Sequence, residues 1–545
     1  IPPIWDPNWQ PGEPLLNPQG DGPDFGFEGV PGAPWIPPDP ELAAGPEHIV
    51  VMTNGQIACF LKDGTNLWRD EIENSFGFWG SLGADNFVFD PEVLWDPHSQ
   101  RFMAMANERS DDNRSLFLFA VSKDDRPETA DDWWKYRLDV TALAGNDIDS
   151  PNMGVNRDFV TLTADFFSPD KYLVYIIRKD SVLNGGTPRV TSELITGSQS
   201  YGVPVMWDGD TDTQYMIEST ENAFGSNTTV IFHAIRDPFG SYDRRVFTLG
   251  VPAYRFPTSP PQRGTTTRPF LFEPRFWSSQ YINGSLWAVH HVNSDRTRVR
   301  WYQFDMNNWP ETLATPELNR WGEIDLGINN LGDGVFTFFP SIGVDEEGNA
   351  AITYARSASR EFISIGRALL GADDPLATFR VPEMVKESNA PDTSERWGDY
   401  SFTQPDPFEA NTFWGHHEFK LNDGTAWRTW VAQYIVDPTA SMTLELSPQP
   451  LLREEDATAD VTGAPANTRV YLACSLTGLG ETPVPVLGIT LGLDQPSQVG
   501  SALADAGGTA VINLRIPPQA PLVEVFVQAA AQGAISNIID TTIQP

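Results

Sequence analysis

Cysteine and histidine are scarce in this 545-residue chain, and each shortage excludes a class of site. The only two cysteines, Cys59 and Cys474, form no CxxC pair, which argues against a structural zinc site. They are either two buried thiols or one bridge between two domains, and both alternatives remain open at this point. Seven histidines are too few to favour a multi-histidine copper site.

Long hydrophobic runs and nucleotide-binding or hydrolase motifs are also missing. No run of 18 apolar residues is present, so no transmembrane helix is predicted. The chain contains no phosphate-binding loop, dinucleotide glycine motif, GxSxG or HExxH. No stretch keeps a helical period for more than about ten residues. With 46 prolines and 44 glycines, the composition favours strands and turns and predicts an all-β fold.

The charge is strongly one-sided, with 36 basic residues against 73 acidic ones and a net charge of -37. A surface this acidic repels polyanions, so we expect no nucleic-acid partner and no binding to anionic membranes. Only seven of the basic residues are lysine. This composition suits a salty medium, divalent cations or simply solubility. The chain begins at Ile1 instead of methionine, which indicates either a removed secretory signal or trimming.

Three segments follow from the distribution of residue types. Residues 1–44 are dense in proline, glycine and tryptophan and are predicted to be an extended arm without regular strands. Residues 45–438 repeat a strand, a turn and a further strand. Residues 439–545 lose tryptophan, and about seven short strands in about 105 residues predict a small immunoglobulin-like β-sandwich.

The middle segment contains the repeat that predicts its architecture. A short strand ends in Asp or Asn, a turn follows, and an apolar strand comes next, as in VLWDPHSQRFMAMA and SIGVDEEGNAAITYA. Units recur about every 50 to 65 residues, as propeller blades do. We therefore predict a seven-bladed β-propeller, with six blades as the alternative. The polar and aromatic stretch at 396–434 is the last unit.

Several of these runs resemble a known family. They are GPEHIVVMTNGQIACFLKDG, DPEVLWDPHSQRF, SLWAVHHVN with RVRWYQF, FPSIGVDEEGNAAITYA and RWGDYSFTQPDP. They look like secreted bacterial β-propeller proteins commonly labelled sialidase-like or uncharacterised exported proteins, over residues 45–436. The tail resembles sandwich modules appended to secreted bacterial proteins. The resemblance implies a propeller with a C-terminal immunoglobulin-like module and a secreted, extracellular or cell-surface location. It implies little about chemistry.

Two functions remain open. The first is a secreted or cell-surface protein that binds polysaccharide or other surface proteins, or has a structural role in assembly. The alternative is a carbohydrate-active enzyme, a glycoside hydrolase or polysaccharide lyase, with its site at the propeller mouth. The repeated S-x-D-x-G-x-T-W box of true sialidases is absent, and residues 345–354 resemble it only loosely.

Two acids and two arginines are the candidates for catalysis at the mouth. Asp399, Asp90, Arg157 and Arg396 lie near predicted blade starts, where inner strand ends line the axis. Acid–base chemistry on a glycan needs a carboxylate pair at a set separation. The alternative interpretation is that the acids cap turns and the arginines join blades through Arg–Asp pairs.

Two adjacent histidine pairs extend this candidate site. His416 and His417 lie in the last unit, and His290 and His291 occupy an equivalent place in an earlier one. Because neighbours on a strand point to opposite faces, at most one of each pair is expected to face a site. It would serve acid–base or metal chemistry. The alternative is that all four pack inside the sheets.

One loop is a candidate for a metal. Asp208, Asp210 and Asp212 alternate in WDGDTDTQ, a spacing compatible with a hard cation such as calcium. The loop lacks the closing Glu of an EF-hand, and a solvated hairpin tip is the alternative. No other cofactor is predicted.

Overall fold

Strands account for nearly all regular structure in the described part of the chain, which confirms the all-β prediction. The structure is a computed structural model. It describes residues 2–545 except 6–24, 85–86, 168–169, 197–200, 210, 221–224, 373, 375–377, 437–439, 466, 485–486, 488 and 533. The helical elements among these residues are α1 (Thr141–Ala144) and 3-10 turns at Gly80–Leu82 and Lys179–Ser181. No described helix is long and apolar enough to cross a membrane.

The chain divides into two compact units. The first comprises residues 1–367 and 383–435, and the second comprises residues 368–382 and 436–545. The predicted boundary at 438/439 falls outside the described residues.

Seven antiparallel groups of four strands build the described part of the first unit. The first two groups are β4 (Glu41–Ala44), β5 (His48–Thr53), β6 (Gln56–Leu61), β7 (Asn66–Glu71), then β8 (Val88–Asp96), β9 (Arg101–Arg109), β10 (Ser115–Ser122) and β11 (Trp133–Asp139). The third and fourth are β12 (Ile148–Val155), β13 (Phe159–Phe167), β14 (Asp170–Arg178), β15 (Val190–Thr196), then β16 (Tyr201–Gly202), β18 (Gln214–Ser219), β19 (Asn227–Arg236) and β20 (Asp243–Tyr254), with β17 (Val205–Met206) before β18.

The remaining three groups complete the series. The fifth and sixth are β21 (Ser278–Ile282), β22 (Ser285–Asn293), β23 (Thr297–Asp305), β24 (Glu317–Ile324), then β25 (Phe336–Val344), β26 (Ala350–Ala358), β27 (Glu361–Leu370) and β28 (Glu383–Lys386). The seventh is β29 (Phe402–Pro405), β30 (Thr412–Phe419), β31 (Arg428–Ile435) and β2 (Gly26–Glu28). A separate pair joins β1 (Ile4–Trp5) to β3 (Trp35–Ile36).

The innermost strands form a closed ring. In order they are β4, β8, β12, β17, β21, β25 and β29, and β29 contacts β4 again. β17 pairs in parallel with both β12 and β21, so these three inner strands run in the same direction. Consecutive antiparallel sheets around a closed ring are the arrangement of a β-propeller.

Apolar side chains fill the spaces between successive sheets. One cluster joins the first and second sheets through residues such as Val50, Trp95 and Phe102, all nearly inaccessible to solvent. Cys59 belongs to the same cluster. Both Cys59 and Cys474 are free thiols, which answers the question left open by the sequence.

The last sheet is completed by the N-terminal segment. β2 pairs antiparallel with β31, and Phe27 lies opposite Val431. Glu28 accepts a 2.6 Å hydrogen bond from Arg428 inside the sheet. The expectation that residues 1–44 carry no regular strand is therefore wrong for the short pair β1 and β3 and for β2 and β4. Proline at the first residue of a strand or at a bulge is compatible with a sheet, and Pro40 stands directly before β4.

The second unit is a strand-rich module with its own apolar core. Its strands are β32 (Ala440–Ser447), β33 (Leu451–Leu452), β34 (Asp456–Thr462), β35 (Arg469–Ser475), β36 (Leu479–Val484), β37 (Ile489–Leu493), β38 (Ser497–Leu503), β39 (Ala510–Arg515), β40 (Glu524–Ala531) and β41 (Ala534–Gln544). β32 pairs first with β41 in parallel and then with β34 antiparallel, so it passes from one sheet to another.

The closing strand β2 is expected to contribute strongly to stability. Phe27 is 1% exposed and its ring centroid lies 4.9 Å from that of Phe60. Replacing Phe27 with alanine leaves a cavity and should cost about 3–5 kcal/mol of unfolding free energy, measured by urea denaturation. Phe76→Ala is the control, because Phe76 is 94% exposed. Equal midpoints for Phe27→Ala and the wild type would contradict a closing role for β2.

Candidate functional site

A repeated proline bulge shapes the start of several inner strands. Its members are Asp39–Pro40–Glu41, Asp90–Pro91–Glu92, Ser150–Pro151–Asn152 and Phe339–Pro340–Ser341. The residue before each proline has a positive φ between 45° and 49°. In three of the four sheets the pairing register shifts at this place. Such bulges re-aim side chains, and positive φ at non-glycine residues is uncommon.

The residues before these prolines meet in a buried polar cluster at one end of the axis. Asp39 accepts hydrogen bonds from the backbone of Asp399 (2.7 Å) and the side chain of Asn54 (2.7 Å). Asn54 in turn accepts the backbone N–H of Asp90 at 2.9 Å. Asp90 accepts the backbone N–H of Ser150 at 3.2 Å. A chain of hydrogen bonds thus connects the last sheet with the first three.

One arginine supplies positive charge to this cluster. Arg396 donates a 2.6 Å hydrogen bond to Asp399, and both are nearly buried. Burial, together with the nearby charge of Asp149, raises the pKa of Asp90 to about 8. Burial also raises the pKa of Asp39 and of Asp399. The cluster therefore favours protonated carboxyls, held by backbone amides and one guanidinium.

The structure brings together three of the six predicted catalytic residues, Asp90, Asp399 and Arg396. Arg157 lies elsewhere: it is exposed and pairs with Asp158 at 2.9 Å in the turn after β12. Ser150, at the beginning of β12, is seven residues away, which is roughly 20 Å along a strand. Convergence of Arg157 with the other three is therefore wrong, because it sits at the opposite end of its inner strand.

The histidines are part of the sheets. Both His416 and His417 are fully buried, and burial lowers the pKa of each to about 3. A ring nitrogen of His416 lies 2.9 Å from the backbone oxygen of Glu41. His417 accepts the backbone N–H of Glu418 at 2.8 Å. Neutral, enclosed imidazoles of this kind do not supply a proton near pH 7, which fits the interpretation as packed residues.

Below the polar cluster lies an axial cavity of about 50 Å³. All seven inner strands contribute to its lining. The lining includes Glu41, Glu92, Trp95, Asn152, Trp277 and Ser279. Glu41 and Glu92 come from equivalent positions in the first two bulges, two residues after Asp39 and Asp90. Burial raises the pKa of both carboxyls, and Glu92 adds to the effect on Glu41.

The predicted calcium loop is described only in part. Asp208 accepts the backbone N–H groups of Asn283 (2.8 Å) and Gly284 (2.9 Å) and so caps the turn between β21 and β22. Asp212 lies 3.9 Å from Arg157, and Asp210 falls outside the described residues. Within the described part of the chain, no group of three His, Cys, Asp or Glu side chains is arranged to hold a metal ion. Calcium at this loop stays a prediction.

Sequence reasoning missed Asp39, Glu41 and Glu92. Asp39 and Glu41 lie in the proline-rich segment predicted to be an arm, and Glu92 follows a proline inside a strand. The repeated Asp-Pro-Glu tripeptide at 39–41 and 90–92 is the signal that could have found them.

Comparisons with known proteins give weak similarities. No protein-family model and no curated protein matches the chain. A sialidase from Trypanosoma rangeli in complex with the inhibitor DANA superposes with a TM-score of 0.32 at 10% identity, covering 92% of this chain and 87% of the sialidase. CoXyl43, a GH43 β-xylosidase/α-arabinofuranosidase from a compost microbial metagenome, gives 0.29 at 13% identity, covering 54% and 93%. The WD40 domain of SCAP from fission yeast gives 0.31 at 8% identity, covering 71% and 82%.

The raised pKa of Asp90 predicts a pH-dependent stability. A carboxyl whose pKa rises from 3.8 to about 8 on folding stabilises the folded state fully below about pH 4. That contribution is lost as the pH rises through 8. The wild-type melting temperature should fall between pH 4 and pH 8, and Asp90→Asn should reduce this fall by several degrees. Glu346→Gln, at an exposed site, is the control. Parallel pH profiles for Asp90→Asn and the wild type would refute the assignment.

Proposed function

We propose that the first unit is a seven-bladed β-propeller, that the second is an immunoglobulin-like sandwich, and that the protein binds extracellular polysaccharide. The observation that supports the binding role is the difference in volume between the axial cavity and a surface cleft. The axial cavity of about 50 Å³ is far below the roughly 300–1,000 Å³ of ordinary ligand pockets. An open cleft of about 640 Å³ beside β7 lies within that range.

The cleft beside β7 has the chemistry of a sugar-binding surface. Arg69, Asp70, Glu71 and Gln56 supply polar groups along its wall. Phe76 presents a ring that is 94% exposed at its side. A flat apolar ring beside hydrogen-bonding side chains matches a sugar, which has apolar faces and polar edges. A secreted or cell-surface location is consistent with such a ligand and is part of the proposal.

A second candidate function is glycan cleavage at the axial mouth. It is supported by Asp90 and Asp399, whose raised pKa values are a feature of catalytic acids. Tyr400 lies beside them, and their charges help to raise its pKa. Against catalysis, Arg396 already binds the Asp399 carboxyl, the backbone amide of Ser150 binds that of Asp90, and each acid is at most 6% exposed.

Affinity electrophoresis of the full chain against a panel of polysaccharides tests the binding role. Phe76→Ala should weaken retention by a retained polysaccharide about tenfold, or about 1.4 kcal/mol, because stacking is lost. Phe167→Ala, which removes a phenylalanine that is 54% exposed elsewhere, should leave retention unchanged. Equal retention of both variants, or no retained polysaccharide, would refute polysaccharide binding at the cleft beside β7.

Release of reducing ends or unsaturated products from the same panel separates the two functions. The binding proposal predicts no release by the wild-type protein. Release that disappears in Asp399→Asn but persists in Phe76→Ala would establish the enzyme alternative instead.

A further inference from the structure

The proline bulges place oxygen-bearing side chains in one layer around the axis. The residue after the proline is Glu41 in the first sheet, Glu92 in the second and Asn152 in the third. All three line the axial cavity. Because they occupy equivalent positions in successive sheets, this grouping is a consequence of the repeat. The same position in the sixth sheet is Ser341.

Glu41 is the member of this layer that has no partner among the described residues. It is 4% exposed, and no described donor makes a hydrogen bond to its carboxylate. The charged groups that act on it are Glu92 and Asp39, both acids. A buried carboxylate without a donor or a cation is strongly destabilising, so Glu41 must be neutralised, either by a proton or by a cation bound in the cavity.

Other polar atoms around the cavity also lack protein partners. Glu92 uses one carboxylate oxygen to accept the backbone N–H of Met153 at 2.6 Å. The Ser279 hydroxyl and the Trp277 indole N–H, both from lining residues, are buried without a hydrogen-bond partner among the described residues. The cavity is therefore polar enough to hold ordered water as well as an ion.

The size and the donor atoms select the class of ligand. A water molecule needs roughly 10–15 Å³ of cavity volume. The axial cavity of about 50 Å³ therefore has room for an ion with a few waters but not for a sugar ring. Carboxylate, amide and hydroxyl oxygens are ligands for hard cations, and Ca²⁺ takes six to eight oxygens including water. Two carboxylates balance one divalent charge.

We propose that the axial cavity binds one hard divalent cation of the Ca²⁺ class through Glu41 and Glu92, with Asn152, Ser279 and water completing the oxygen shell. This site is distinct from the loop at Asp208–Asp212. It is independent of polysaccharide binding at the cleft beside β7. Its role is structural, because the cation would join the first three sheets to the fifth across the axis.

Terbium luminescence and thermal unfolding of the chelator-treated full chain test the site. Tb³⁺ replaces Ca²⁺ at oxygen sites and emits when a nearby tryptophan is excited, and Trp95 and Trp277 both line the cavity. Wild-type protein should show saturable Tb³⁺ emission that Ca²⁺ displaces. Ca²⁺ should also raise its melting temperature in a concentration-dependent manner.

Glu92→Gln should abolish both responses, and Asp208→Asn should retain both. Glu41→Gln is the second variant, and far-UV circular dichroism checks that each variant is folded. Two results would overturn the proposal. One is a response that follows Asp208 instead of the glutamates. The other is the absence of a Ca²⁺ and Tb³⁺ response in the wild type, and higher stability of Glu92→Gln would then mean that the glutamates are neutralised by protons.

Discussion

One hydrogen bond, from the backbone of Asp399 to the carboxyl of Asp39, connects the last sheet of the ring to the first across 360 residues of sequence. A closed ring protects the edges of its inner strands and brings the starts of these strands together where little water can enter. Every polar group there must find a partner in the protein. Asn54 and the amides of Asp90 and Ser150 continue the same chain of bonds. The rest of the first unit depends on this closure, with β2 completing the seventh sheet.

The closure also explains why polar residues crowd the stretch at 396–434. Arg396 and Asp399 form a buried pair, and Arg428 holds Glu28 of the closing strand at 2.6 Å. His416 contacts the backbone of Glu41 in the first sheet. The last two contacts join the last sheet to the N-terminal segment or to the first sheet. A concentration of charge that looks catalytic in sequence is therefore explained largely by the geometry of ring closure.

The repeat, the strand-rich composition and the last unit could be predicted because they depend on local signals. Turns such as Asn54–Gly55, with Gly55 at a φ of 99°, need residues that tolerate the left-handed region, and these are visible in sequence. The place of Arg157 could not be predicted, because it depends on which end of a strand faces the mouth. Strands β2 and β4 were hidden because proline density argues against strands, whereas an inner strand that starts at a bulge accommodates proline at its first residues.

Two layers of acidic residues lie on the axis, an upper layer of Asp39, Asp90 and Asp399 and a lower layer of Glu41 and Glu92. They differ in how the protein neutralises their carboxyls. The upper layer contains Arg396, whose guanidinium pairs with Asp399 and acts also on Asp39 and Asp90. In the lower layer, the charged groups that act on Glu41 are all acids. The positions before and after the proline of the bulge therefore differ in how their carboxyls are neutralised, because only the layer before the proline has a basic side chain of its own. A chain with a net charge of -37 has few basic side chains to spare for its interior, and the divalent cation that we propose in the axial cavity would supply positive charge there.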